Sequence, residues 1–145
     1  MSPEVDLAVF SFFFHLAWEF LQAPLFFSMH GISHMDGIAI CLQATLGDVA
    51  IALTAFWGAA ALAKSRSWFL EPRLRDIAAF LAIGIGITIG LEYFNTEITG
   101  RWTYGDWMPI LPVLGTGLAP VVQWLLVPWL SLWYLRRLHQ TTKRM

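Results

Sequence analysis

Four stretches of the chain are long and apolar enough to cross a bilayer, near Asp6–Met29, Ile38–Ala63, Ile77–Asn95 and Val113–Leu135, and each carries polar or ionisable side chains. A hydrocarbon core about 30 Å thick takes about 20 residues of helix to span, and a helix satisfies its own backbone groups there. The sequence therefore predicts an all-α polytopic membrane protein, a four-transmembrane-helix bundle in which residues 1–145 form one domain. Composition agrees: 57 % of residues are hydrophobic and 13 % charged, against about 25 % charged in a typical soluble chain. Mean hydropathy is +0.60. The first stretch lacks the basic leading region of a signal peptide and has Glu19 in its interior, so it is expected to be retained. No repeat or low-complexity tract divides the chain.

Cytoplasmic loops of membrane proteins carry the excess of lysine and arginine. Lys64, Arg66, Arg73 and Arg75 lie between the second and third stretches, and Arg136, Arg137, Lys143 and Arg144 follow the fourth. Arg101 is the one basic residue on the other side. The expected placement is the bacterial inner (plasma) membrane, multi-pass, with both termini cytoplasmic. A net charge of −1 argues against nucleic acid as a partner. The single cysteine, Cys41, excludes an intramolecular disulfide and reads as a small buried hydrophobe.

Within the third stretch, "IGIGITIG" sets Gly86 and Gly90 four residues apart, a small-residue surface on which another helix can pack. Pro24 and Pro128 fall inside apolar runs, where kinks are expected. Trp68, Trp102, Trp107 and Trp133 lie near span ends or in the outer loop, as in an interfacial aromatic belt.

His15, Glu19 and Gln22 follow one another at spacings of four and three, so they share one face of a helix. Every other stretch adds to the set: Asp48, Glu92 with Asn95, and Gln123. A carboxylate at the bilayer centre costs at least about 2.5–3.5 kcal/mol, so these side chains are expected to face the bundle interior. With both termini inside, all of them fall in the outer half or near the midplane, and a shared polar pocket between the helices follows. Two readings stand side by side. Intramembrane Gln, His and Asp serve as interhelical glue at about 0.6 kcal/mol per hydrogen bond. Alternatively, carboxyls without a lysine or arginine in any span hold a proton or a cation and do chemistry.

Three chemistries suit such a pocket. In general acid–base catalysis, a neutral carboxylic acid protonates an alkene or epoxide while a second carboxylate or the histidine takes a proton; His15, Glu19 and Glu92 are the catalytic candidates. In metal binding, His15, Glu19 and Glu92 are one candidate set, and the "HGISH" pair His30 and His34 is another if helical. In proton or ion conduction, the ionisable groups would form a path, but the inner halves of the stretches look almost wholly apolar, so no continuous path is expected. Ser11 and Thr45 have no triad partners that would make them nucleophiles.

The outer segment "NTEITGRWTYGDWMPILP" sets Gly100, Gly105, Pro109 and Pro112 around Trp102, Tyr104 and Trp107. That composition suits tight turns and an ordered aromatic lid over an elongated apolar ligand; an interfacial loop whose aromatics rest at headgroup level is the plainer alternative.

"GLEYFNTEITGRWTY", followed by "MPILP", resembles a stretch of membrane-embedded carotenoid-modifying enzymes of the lycopene cyclase and carotenoid hydratase types. The resemblance implies acid–base chemistry on a polyene, with Glu92 acidic and Trp102 and Tyr104 lining the site. Those enzymes generally have more helices, and the paired-acid and phenylalanine motif of the cyclases is absent after the proline turn. Over its length, through "AWEFLQAPLF", "LGD" and "GTGLAPVVQWLL", the chain is similar to small bacterial four-helix integral membrane proteins, a resemblance that implies no activity. The expected function is an acid–base enzyme (isomerase, cyclase or hydratase) on an isoprenoid or membrane lipid, with Gln22, Asp48, Asn95, Trp102, Tyr104 and Gln123 binding the substrate. The alternative is a non-catalytic membrane protein that binds a lipid, pigment or metal, or serves as an accessory subunit of a larger membrane complex. A homodimer fits the glycine face, and no residue nominates a cofactor.

Overall fold

A proline, a glycine turn and two side-chain caps set the helix boundaries. The computed structural model describes Ser2–Thr142, so Lys143 and Arg144 of the basic tail lie outside the described residues. Four helices form, α1 (Pro3–Gln22), α2 (His34–Ala63), α3 (Leu74–Tyr93) and α4 (Leu118–Thr142). Among the described residues there is no strand, only two isolated bridges in the loops.

The expected boundaries shift for local reasons. Pro24 does not kink α1 but follows its end, inside a 3₁₀ turn at Ala23–Leu25, so the helix stops at Gln22 rather than near Met29. α2 begins at His34, earlier than Ile38, because the Ser33 hydroxyl accepts the Asp36 N–H at 3.1 Å and caps it. At the start of α3 the Asp76 carboxylate accepts the Arg73 N–H at 3.2 Å. α4 starts at Leu118, not near Val113. The preceding residues turn back on themselves, with Gly115 at φ +64° and the Leu111 N–H donating to the Thr116 carbonyl at 2.9 Å. Pro128 does sit inside its helix, α4, and is fully buried.

By length and composition three helical segments can cross a membrane, His34–Ala63, Leu74–Ile98 and Leu118–Thr141; α1 falls outside that set. It carries Glu4, Asp6, His15, Glu19 and Gln22 along 20 residues, and all of these except Glu4 are buried against its neighbours. α1 packs on α2 and α4, and α3 packs on the same two helices, which closes a four-helix bundle.

The two ends of the bundle differ. At the end where α2 finishes and α3 begins, Leu7, Ala55, Phe56, Phe80, Leu132 and Leu135 form an apolar core with Trp68 and Phe69. At the other end, buried polar side chains replace it. Trp68 is only 4 % exposed and stacks between Phe56 and Phe80, so it belongs to this core and not to an interfacial belt. Trp107 and Trp133 are exposed, as a belt requires.

The expected helix-packing glycines are also replaced. Among the described residues nothing beyond α3's own backbone and chain neighbours lies within 4 Å of a Cβ placed on Gly86 or Gly90, and both glycines are exposed. Gly84 is the close-approach site: a Cβ there would lie 2.1 Å from the Trp124 ring. The indole fills the space that a side chain would need.

Candidate functional site

α1 brings His15, Glu19 and Gln22 onto its buried face, as their spacing predicts. α2 contributes Asp48, and α4 contributes Gln123 and Trp124. Gln123 joins them. Its Nε2 lies 2.8 Å from His15 Nδ1, 2.9 Å from Asp48 Oδ2 and 3.1 Å from Glu19 Oε1. Its Oε1 accepts from Gln22 Nε2 at 3.3 Å, and the same Gln22 nitrogen donates to Glu19 Oε1 at 2.9 Å. Trp18 Nε1 donates to Gln22 Oε1 at 3.1 Å, and Trp124 Nε1 to Asp48 Oδ1 at 3.1 Å.

An amide nitrogen has two hydrogens, yet three acceptors surround Gln123 Nε2. With His15 protonated on Nδ1, that N–H points to Asp48 Oδ2, 3.2 Å away, and the amide serves the two carboxyls, while the 2.8 Å approach of Gln123 Nε2 to His15 Nδ1 becomes a contact between two donors. This tautomer is assigned from the network. It leaves His15 Nε2 as a bare acceptor, buried and without a partner.

The network borders a cavity of about 600 Å³, at the end of the bundle where α1 and α3 finish and α2 and α4 begin. Glu19, Gln22, Asp48 and Gln123 are on its walls, among apolar residues that include Ile40, Ile51, Leu91 and Phe94. His15 is fully buried and stands behind Asp48 and Gln123 rather than on the wall. It can orient Asp48, but a ligand in the cavity does not reach it.

Glu92 lies on the α3 wall of the same cavity. No hydrogen bond links it to the Gln123 network; instead the Tyr104 hydroxyl donates to Glu92 Oε2 at 2.5 Å. Burial, and then the bond to Glu92, raise the Tyr104 phenol above its ordinary value. Trp102 lines the cavity near Glu92, but its indole N–H has no hydrogen bond of adequate geometry. Asn95 lines it too, with its amide nitrogen already donating to the Leu91 carbonyl at 2.7 Å.

The two loops at this end are joined. The Phe27 N–H donates to the Thr103 carbonyl at 2.9 Å, and the Gly105 N–H to the Leu25 carbonyl at 2.8 Å. Phe26 and Tyr104 stack between these bonds with ring centres 5.6 Å apart. A Cβ on Gly105 would come within 3.1 Å of the Leu25 carbonyl oxygen, so a side chain there would crowd the joined loops. The ordered outer loop expected between the last two helices is therefore present.

The histidine pair separates. His30 is in a turn, with Nε2 3.2 Å from the Pro24 carbonyl, and His34 opens α2, so they do not share a helix face. Among the described residues no three His, Cys, Asp or Glu side chains form a group that could hold a metal ion. Neither metal set expected from the sequence is assembled.

Trp124 was not foreseen. It donates to Asp48, packs its ring 5.4 Å from His15 and is fully buried; its neighbour Gln123 and the glycine at position 84 are the available signals. Also unforeseen is a π-helical turn, Phe94–Ile98, which continues α3 past Glu92 and sets Asn95. Such turns gather at functional sites. Arg101, at the cavity rim, stacks on Trp102 at 5.3 Å. The chain matches no family model, no curated protein and no solved structure.

Proposed function

We propose that the chain is a small enzyme of the bacterial inner membrane that transfers protons to and from an isoprenoid or another lipid, in an isomerisation, cyclisation or hydration. It crosses the membrane four times, with α1 as the pass that carries the polar stripe, and both termini lie on the cytoplasmic side with the basic residues. The observation that carries this reading is the cavity of about 600 Å³ with Glu19, Asp48 and Glu92 on apolar walls. Its size suits a small molecule. Glu92, gripped by Tyr104, and Glu19, gripped by Gln22 and Gln123, are the acids; Asp48, oriented by His15 and Trp124, is the base. The likeness of the Glu92–Tyr104 segment to carotenoid-modifying enzymes supports a polyene or related isoprenoid.

Mass spectrometry of small molecules and metals that co-purify in lipid nanodiscs tests this. With Glu19→Gln/Glu92→Gln an isoprenoid or lipid accumulates that the wild type carries in altered form. Identical molecules in identical form with both proteins would overturn the enzyme.

A non-catalytic reading has one observation behind it. Gly86 and Gly90 lie exposed and unpartnered on α3, which suits docking to a second copy or to a larger membrane complex. Under that reading the two amide replacements change stability alone, and the cavity holds a lipid or pigment without converting it.

A further inference from the structure

The polar stripe of α1 does not stop at the cavity. Below His15 it continues through Ser11 to Asp6, which are 1 % and 3 % exposed. α4 answers with Ser131, 1 % exposed, and with His139, whose Nε2 lies 2.9 Å from Asp6 Oδ2. Two contacts bracket the interface, Gln123 against His15 and His139 against Asp6. Ser11 on α1 and Ser131 on α4 both lie between them.

Groups that merely glue helices together are paired with each other. Here three polar atoms of this interface are buried without a hydrogen-bond partner among the described residues: Ser11 Oγ, Ser131 Oγ and His15 Nε2. They occur in series, between two groups of ionisable side chains. The steps along α1 from Asp6 to Ser11, His15 and Glu19 are five, four and four residues, or about 7.5, 6 and 6 Å at about 1.5 Å per residue. A water molecule or a side-chain rotation bridges a gap of that size. Hydroxyls donate and accept at once, and an imidazole takes a proton on one nitrogen while releasing one from the other.

We propose that the α1–α4 interface is a proton relay that connects the cavity carboxyls Glu19 and Asp48 with the Asp6–His139 pair at the opposite end of the bundle. A proton leaving the Asp6–His139 pair passes along the Ser11 and Ser131 hydroxyls to His15 Nε2. His15 releases its Nδ1 proton to Asp48, and ring and hydroxyl rotation restores the starting arrangement. Only O–H and N–H bonds form and break, and one proton moves in net. The relay does not depend on what the cavity binds or converts. It replaces the expectation of an apolar inner half, because Ser11 and Ser131 are the links that separate the two polar ends.

Proton flux into liposomes tests it without any substrate. The protein is reconstituted in vesicles with an entrapped pH-sensitive dye, and a potassium diffusion potential with valinomycin drives the flux. Wild type moves protons faster than empty vesicles, Ser11→Ala/Ser131→Ala slows them at least tenfold, and His15→Gln removes the protein-dependent flux. The serine pair guards against misfolding of His15→Gln, since alanine is smaller and loses no hydrogen bond; circular dichroism and gel filtration confirm that each variant is folded. Wild-type flux equal to that of empty vesicles would overturn the relay, and so would a flux unchanged in the serine pair.

Discussion

Tyr104 bridges loop and helix: its ring packs on Phe26 and its hydroxyl binds Glu92 of α3. Burial and that bond favour the neutral phenol, so its folded value lies above the unfolded one, about 10. The sign follows from linkage. The contribution is complete below the unfolded value and is lost as pH rises towards the folded one. In an alkaline titration, wild type and Tyr104→Phe should give the same phenolate absorbance up to about pH 11. Loss of one tyrosine's share of the signal in the variant below that pH would show an ordinary phenol. At this scale the sequence revealed which polar residues meet, since helical spacing puts His15, Glu19 and Gln22 on one face. It did not reveal that Gln123 is the hub or that His15 stands behind the wall, because those depend on the rotation of α4 against α1.

Among the elements, the contact between α3 and α4 separates two kinds of glycine. Gly84 makes room for Trp124, whereas Gly86 and Gly90 face outward. Gly84→Ala should destabilise by about 1–3 kcal/mol, the usual cost of overpacking, and weaken the indole's hold on Asp48. Gly86→Ala should be neutral or stabilising by up to about 1 kcal/mol, since alanine is the better helix former. Thermal unfolding in detergent, followed by tryptophan fluorescence, distinguishes them; equal effects would contradict the packing. Four helices were legible from apolar length alone. Their ends were not, because Pro24 closes a helix as readily as it kinks one, and the turn at Gly115 is made of residues as apolar as the helix that follows. The "GLEYFNTEITG" segment gave no warning of its π turn, which depends on a single inserted residue in the hydrogen-bond ladder.

For the molecule as a whole, a polar cavity at one end of the bundle and an aromatic core at the other give it direction. Lys64, Arg66, Arg73 and Arg75 sit at the apolar end beside the α2–α3 turn, and the tied loops close the other. In a variant lacking Cys41, Ser65→Cys and Asp106→Cys should react with an impermeant maleimide from opposite faces of inner-membrane vesicles. Labelling of both from one face would refute the proposed four-pass topology.

The backbone bonds between residues 25–27 and 103–105 have a consequence for how such a chain can vary. Surface connections normally change length freely. Here two connections far apart in sequence form one clasp, so an insertion in either displaces the partner's carbonyls and the Tyr104–Glu92 bond with them. Their lengths are coupled. The free place for new sequence is the tip at Val113 and Leu114, where Val113 is 94 % exposed; a tag or a reporter belongs there.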